Sequence, residues 1–182
     1  MGRLPIRIYG DEILRKKAEP IDFVNGELHK SRLEKLVEDM LETMYAGDGI
    51  GLAANQVGVL ERIIVIDLGE AQPGIESGPR CYINPEIVSR AGVDVMEEGC
   101  LSFPNIHAEV KRPSEIEVKA LDLEGKSLHF QADGLFARVL LHEIDHLDGV
   151  LFIDYLSPMK KLLLREQLKE LEKRAQMSGG RE

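Results

Sequence analysis

The sequence has 182 residues, 43% hydrophobic and 30% charged, which is the balance of one ordinary globular domain over 1–182 and not of a disordered chain. Lys plus Arg number 23 against 32 Asp plus Glu, a formal charge of −9, with no tryptophan and only 5% aromatics; this argues against a protein that coats nucleic acid by charge or stacks bases on an aromatic platform. Two cysteines make no disulfide framework, the N-terminal residues lack the apolar core of a signal peptide, and the longest apolar run, around 139–141, is too short to span a bilayer, so a cytoplasmic protein without membrane association is expected.

In chain order, Leu33, Leu36, Val37, Met40, Leu41 and Met44 recur in steps of three and four, one stripe of an amphipathic helix that Gly47 would stop. A glycine-rich segment follows, Gly47-Asp-Gly-Ile-Gly-Leu-Ala-Ala-Asn-Gln-Val-Gly58, and then a β-branched run over 62–68 that reads as a buried strand. Residues 69–79 have the glycine and proline content of a surface loop. Short strands are expected at 81–87, 92–96, 115–121 and 128–131, the last two joined by a hairpin turn at 123–126. Apolar residues then surround the helical wheel over 135–147, which describes a core helix with Asp133 to cap its start and Gly149 its end. Ser157-Pro158 opens a last helix over about 158–175, with Leu164, Leu168, Leu171 and Ala175 as its packing stripe and a frayed tail from 176. The fold class is therefore α+β: antiparallel β-sheets packed around a central helix, with a helix toward each end of the chain.

That central helix carries His142-Glu143-Ile144-Asp145-His146. Residues four apart stand about 40° apart on one helical face, so both imidazoles can reach a single cation. Glu143 projects beside them, where a carboxylate can take a proton from metal-bound water. Two histidines and two carboxylates inside an apolar helix would be costly without such compensation. Two residues are candidates for a third ligand. Glu166, twenty positions beyond His146, has the spacing of one class of HExxH peptidase, but it points away from the packing stripe of its helix. Cys100, in Glu97-Glu-Gly-Cys-Leu-Ser102, has acidic neighbours that would disfavour a free thiolate and that a cation would offset. Cys81 reads as a small buried hydrophobe, and His29, His107 and His129 as surface or satisfied residues. The glycine-rich segment lacks the Lys-Ser/Thr of a phosphate loop and follows a helix instead of a strand, so its glycines suit the close approach of an extended peptide. Ile50 and Leu141, beside site residues in sequence, are the expected apolar lining for one of that peptide's side chains.

Three segments in order, Gly49-Ile-Gly-Leu-Ala-Ala-Asn-Gln56, Glu98-Gly-Cys-Leu-Ser102 and His142-Glu-Ile-Asp-His146, resemble the bacterial type of peptide deformylase, and the likeness extends over nearly the whole chain. The resemblance implies a hydrolase that removes the formyl group from the N-terminal methionine of new polypeptides. It implies Cys100, His142 and His146 as ligands of one divalent metal, natively Fe2+, with Zn2+, Ni2+ or Co2+ able to occupy the site. It further implies Glu143 as general base and acid, Gln56 and the Leu101 N–H as oxyanion donors, and Gly51 as a partner of the substrate backbone. Asn55 stands where threonine is common, a difference expected to matter little. The C-terminal segment is basic, with seven Lys or Arg against four Glu from Ser157 onward, and in relatives this tail can dock on the ribosome. The competing readings are an endopeptidase that uses Glu166, and a protein whose metal only supports the fold.

Overall fold

The computed structural model describes residues 2–23, 27–69 and 78–179, with the side chains of 27–29 and 178–179 outside the description. Three helices, α1 (Glu27–Ala46), α2 (Gly134–Leu147) and α3 (Pro158–Gly179), accompany seven strands: β1 (Gly51–Ala53), β2 (Ile63–Ile66), β3 (Arg80–Ala91), β4 (Asp94–Gly99), β5 (His107–Arg112), β6 (Glu115–Leu121) and β7 (Ser127–Asp133). Short 3-10 turns lie at Glu12–Arg15, Ala54–Val57 and Phe152–Tyr155. Five strands make one sheet in the order β1-β2-β3-β6-β7, and β4 pairs with β5 in a separate ribbon. Every one of these strand pairings is antiparallel.

The sheet is covered on both faces. Ile63 and Val65 of β2 pack with Leu33, Val37, Met40 and Met44 of α1, the stripe read from the sequence. Ile64 and Ile66 point the other way, onto Phe136, Ala137, Leu140 and Ile144 of α2. A strand wet on neither face needs no polar alternation, which is why 62–68 reads as a continuous apolar run. A third cluster joins Phe103, Ile106 and Val110 to Phe152, Ile153 and Leu171, and so seats β5 and α3 on the same molecule. The central helix is thus enclosed by the large sheet, the β4–β5 ribbon and the segment leading to α3.

The differences from expectation have local causes. β5 goes unseen in the sequence because its inward positions are Val110 and the charged Arg112, so apolar alternation is lost. β4 starts at Asp94, beyond a turn in which Gly92 has φ +62°. Asp133 occupies the cap position of α2 without a capping side-chain bond. α3 continues to Gly179, past the expected fraying at 176, because Gln176 and Met177 are good helix formers; residues 180–182 fall outside the described residues. The loop expected at 69–79 lies outside them over 70–77. The β6–β7 hairpin closes where expected, with the Asp122 N–H donating to Lys126 O (3.0 Å). Among the described residues no helix is long and apolar enough to cross a membrane.

Candidate metal centre and active site

His142 and His146, one turn apart on α2, present their Nε2 atoms 3.2 Å from each other. Cys100, just past the end of β4, puts its Sγ 3.2 Å from His146 Nε2. The three donor atoms all lie within 4.8 Å of one another, and both rings are buried. The helix ends cleanly behind them: Gly149 takes φ +72° and its N–H donates to His146 O (3.0 Å). Glu166 is elsewhere. Its carboxylate is 83% exposed and pairs with Lys169 on the surface of α3, so it is not a ligand of this group.

The orientation of His142 is set from behind. Its Nδ1 donates to Glu98 Oε2 (2.9 Å), which leaves Nε2 to face the other two donors. Glu98 is held in turn by Arg112, through Nε to Oε1 (2.5 Å) and Nη2 to Oε2 (3.0 Å), and by Arg138 Nη1 to Oε1 (2.9 Å). Arg112 Nη1 also donates to Asp145 Oδ2 (2.5 Å), and Arg138 Nη1 to Val110 O (2.8 Å). Burial by itself would raise Glu98, but the bonds from His142 and Arg112 win and hold it well below the usual carboxylate range. The sequence reading missed this group. Glu98 was legible only as a neighbour of Cys100, and Arg112 and Arg138 fall in segments with no charge pattern.

The electrostatics fit a cation. Burial lowers His142, yet Cys100 and Glu98 beside it carry its pKa well above the ordinary imidazole value, the mark of a pocket short of positive charge. Burial and the neighbouring His142 hold His146 well below that value, in the neutral form a metal needs. A thiolate with two imidazoles is a donor set for a borderline divalent ion. Glu143 is buried with Oε2 unpaired, and burial pushes its pKa up to about 7 against the pull of His142.

A cavity of about 600 Å³ opens onto this cluster. Gly49, Ile50 and Gly51 line one side, Glu97, Glu98 and Gly99 the other, and Leu135, Val139, His142 and Glu143 the floor. Gly51 is there because of close approach: a Cβ would stand 2.5 Å from Glu143 Oε1 and 2.8 Å from Val139 Cγ1. Gln56 is buried below the wall, its Oε1 fixed by the Ala53 N–H (2.8 Å) and its Nε2 donating to Ser102 Oγ (3.1 Å) and Cys100 Sγ (3.4 Å). Leu101 also borders the cavity. Leu141 does not: it is buried in the core between α2 and the sheet, because one step along a helix turns the side chain about 100° from His142. The apolar lining from α2 comes from Leu135 and Val139, three and four residues before His142 and Glu143. His107 sits at the rim, exposed; His129 is exposed and bonded to Glu117, and the His29 side chain is outside the described residues.

The model of the family described as polypeptide deformylase matches residues 3–162. The chain belongs to the polypeptide deformylase family. It is 48% identical over 169 residues to the peptide deformylase of Thermodesulfovibrio yellowstonii, spanning 93% of this chain and 98% of that protein. A solved plant peptide deformylase superposes with a TM-score of 0.87 at 38% identity, over 97% of this chain and 93% of that one. The peptide deformylase of Legionella pneumophila gives 0.82 at 41% identity, over 96% and 98%. This deformylase-family chain is accordingly an enzyme, a metal-dependent hydrolase with an α+β fold.

Proposed function

We propose that the enzyme removes the formyl group from the N-terminal methionine of newly made polypeptides, releasing formate. The observation that carries this reading is the convergence of Cys100, His142 and His146 beside a cavity that Cys100, His142 and Glu143 line, with the Glu143 Oε2 as its buried unpaired carboxylate oxygen among the described residues. A cation held there supplies Lewis acidity and brings the pKa of water toward neutrality. The family favours Fe2+ in that role, and Zn2+, Ni2+ and Co2+ suit the same donors.

Glu143, poised near neutrality, takes the proton of the attacking water as its oxygen bonds to the formyl carbon. The Gln56 amide and the Leu101 N–H face the oxygen on which negative charge grows, each such donor being worth about 2.7–4 kcal/mol. When the C–N bond breaks, Glu143 returns its proton to the amine, leaving formate and a free methionine terminus. Two strand edges border the cavity: among the described residues β1 is the edge of the large sheet, with its Ala53 N–H taken by Gln56 Oε1, and β4 pairs with β5 alone. An extended peptide entering as an added strand would bond both, with Gly51 on one side, and its methionine side chain would lie toward Ile50, Leu135 and Val139. The basic outer face of α3 is the surface we assign to the ribosome, with recognition by charge and not by nucleotide sequence.

Anaerobic purification with metal analysis, followed by formate release from formyl-Met-Ala-Ser, tests the assignment. Glu143→Gln should keep the cation and lose activity about 10²–10⁴-fold, whereas Cys100→Ala should lose the cation. A Glu143→Gln enzyme with metal and full activity would remove Glu143 from the mechanism.

A further inference from the structure

Asn55 differs from what its place in an irregular glycine-rich stretch suggests. It lies in the 3-10 turn Ala54–Val57, is completely buried, and donates from Nδ2 to the main-chain carbonyl of His146. Its neighbour Gln56 reaches Cys100 Sγ from the same turn (3.4 Å). Two consecutive side chains of one short element therefore grip two of the three donor residues, one just after β4 and one on α2. The turn is itself anchored, with the Arg7 N–H donating to Gln56 O (2.7 Å) and the Val59 N–H to Ala54 O (3.0 Å).

A second observation concerns the same contact. Among the described residues, Asn55 Oδ1 and His146 Nδ1 are both buried and both without a hydrogen-bond partner. They do not bond each other: His146 directs Nε2 toward Cys100 and His142, so Nδ1 bears the proton when Nε2 serves as a ligand, and the contact between the two residues runs through Asn55 Nδ2 and the His146 carbonyl.

We propose that Asn55 is a positioning residue for the metal centre: by holding the His146 carbonyl it fixes the backbone that carries that imidazole and so the depth at which the ring sits. This rests on the ligand role given to Cys100, His142 and His146 above. Groups that orient a ligating histidine from behind typically change metal retention about 10–100-fold when removed. Glu98 does this for His142 at the ring; Asn55 acts on His146 through its main chain.

The test loads the full chain with Co2+ and follows both its release to excess chelator and the ligand-field absorption of the bound ion. Asn55→Ala should release Co2+ about tenfold faster or more, with an altered spectrum and a fall in kcat larger than any change in KM. Asn55→Leu, which keeps the volume and removes both polar atoms, should do the same if the alanine variant does not fold. Thr43→Val is the control: it removes partly buried bonds, one accepted from Leu4 N–H (2.9 Å) and one donated to Asp39 O (2.6 Å), at a position of α1 outside the cavity lining, and should lower the melting temperature while leaving Co2+ retention and spectrum as in the parent. Retention and spectrum unchanged in the Asn55 variants would overturn the proposal, as would equal acceleration by Thr43→Val. A parent chain that binds no Co2+ would instead overturn the metal reading itself; a parent that binds Co2+ and releases formate beside indistinguishable Asn55 variants would sink this inference alone.

Discussion

The two cysteines show how much environment decides what one functional group can do. Cys100 stands among ring nitrogens just past the end of a strand, whereas Cys81, half-buried in β3, packs against the cluster between α1 and the sheet. Burial, helped by Asp122 and Glu124, pushes the Cys81 thiol up to about 12. A folded-state pKa raised above the unfolded one means stability that is complete below the ordinary thiol range, near 8.5, and lost as pH rises toward 12. Unfolding by urea should therefore become easier with rising pH across that window, and Cys81→Ala should flatten the trend. At neutral pH a thiol reagent should modify the metal-free chain at Cys100 first, with Cys81 reacting only on unfolding. Residues of this kind were legible in part. The 3.6 period and the His-Glu-x-x-His spacing fix which side chains share a face, so the imidazoles and Glu143 could be read directly. What Glu98, Arg138 and Asn55 touch depends on which elements meet, and no local pattern carries that.

At the scale of elements, the β4–β5 ribbon is fastened to α2 by charge. Glu98 comes from β4, Arg112 from β5, and Arg138, His142 and Asp145 from the helix. All but Asp145 are buried, so the ribbon pays a desolvation cost that only complete pairing offsets. Arg112→Ala would leave the Glu98 carboxylate short of its bidentate partner in the interior. A loss of about 3–5 kcal/mol is expected for breaking such a buried pair, visible as a large drop in denaturant midpoint, with weaker metal retention because His142 loses its fixed backing. The helices were legible because their burial follows a period, and β2 because it is buried on both faces and reads as one apolar run. β5 was not, since its inward arginine looks like surface in any hydropathy pattern.

For the molecule as a whole, charge is unevenly placed. The segment from Ser157 onward is the basic part of a chain whose net charge is −9, and α3 shows only one side to the core, through Leu164, Leu168 and Leu171. Lys160, Lys161, Arg165, Lys169 and Lys173 face solvent. Co-sedimentation with ribosomes should therefore weaken steeply with added salt, and Lys169→Ala with Lys173→Ala should reduce it without changing formate release from a free tripeptide. Binding that survives both substitutions would point to another surface.

The cavity between the edges of β1 and β4 has one more consequence. A guest strand laid there would weld five strands to two, turning separate sheets into a single eight-stranded surface for as long as it stayed. Grip of that sort would be exerted on amide groups that nearly every polypeptide shares. An enzyme built this way can serve thousands of unrelated clients in turn and let each go once its cap is removed.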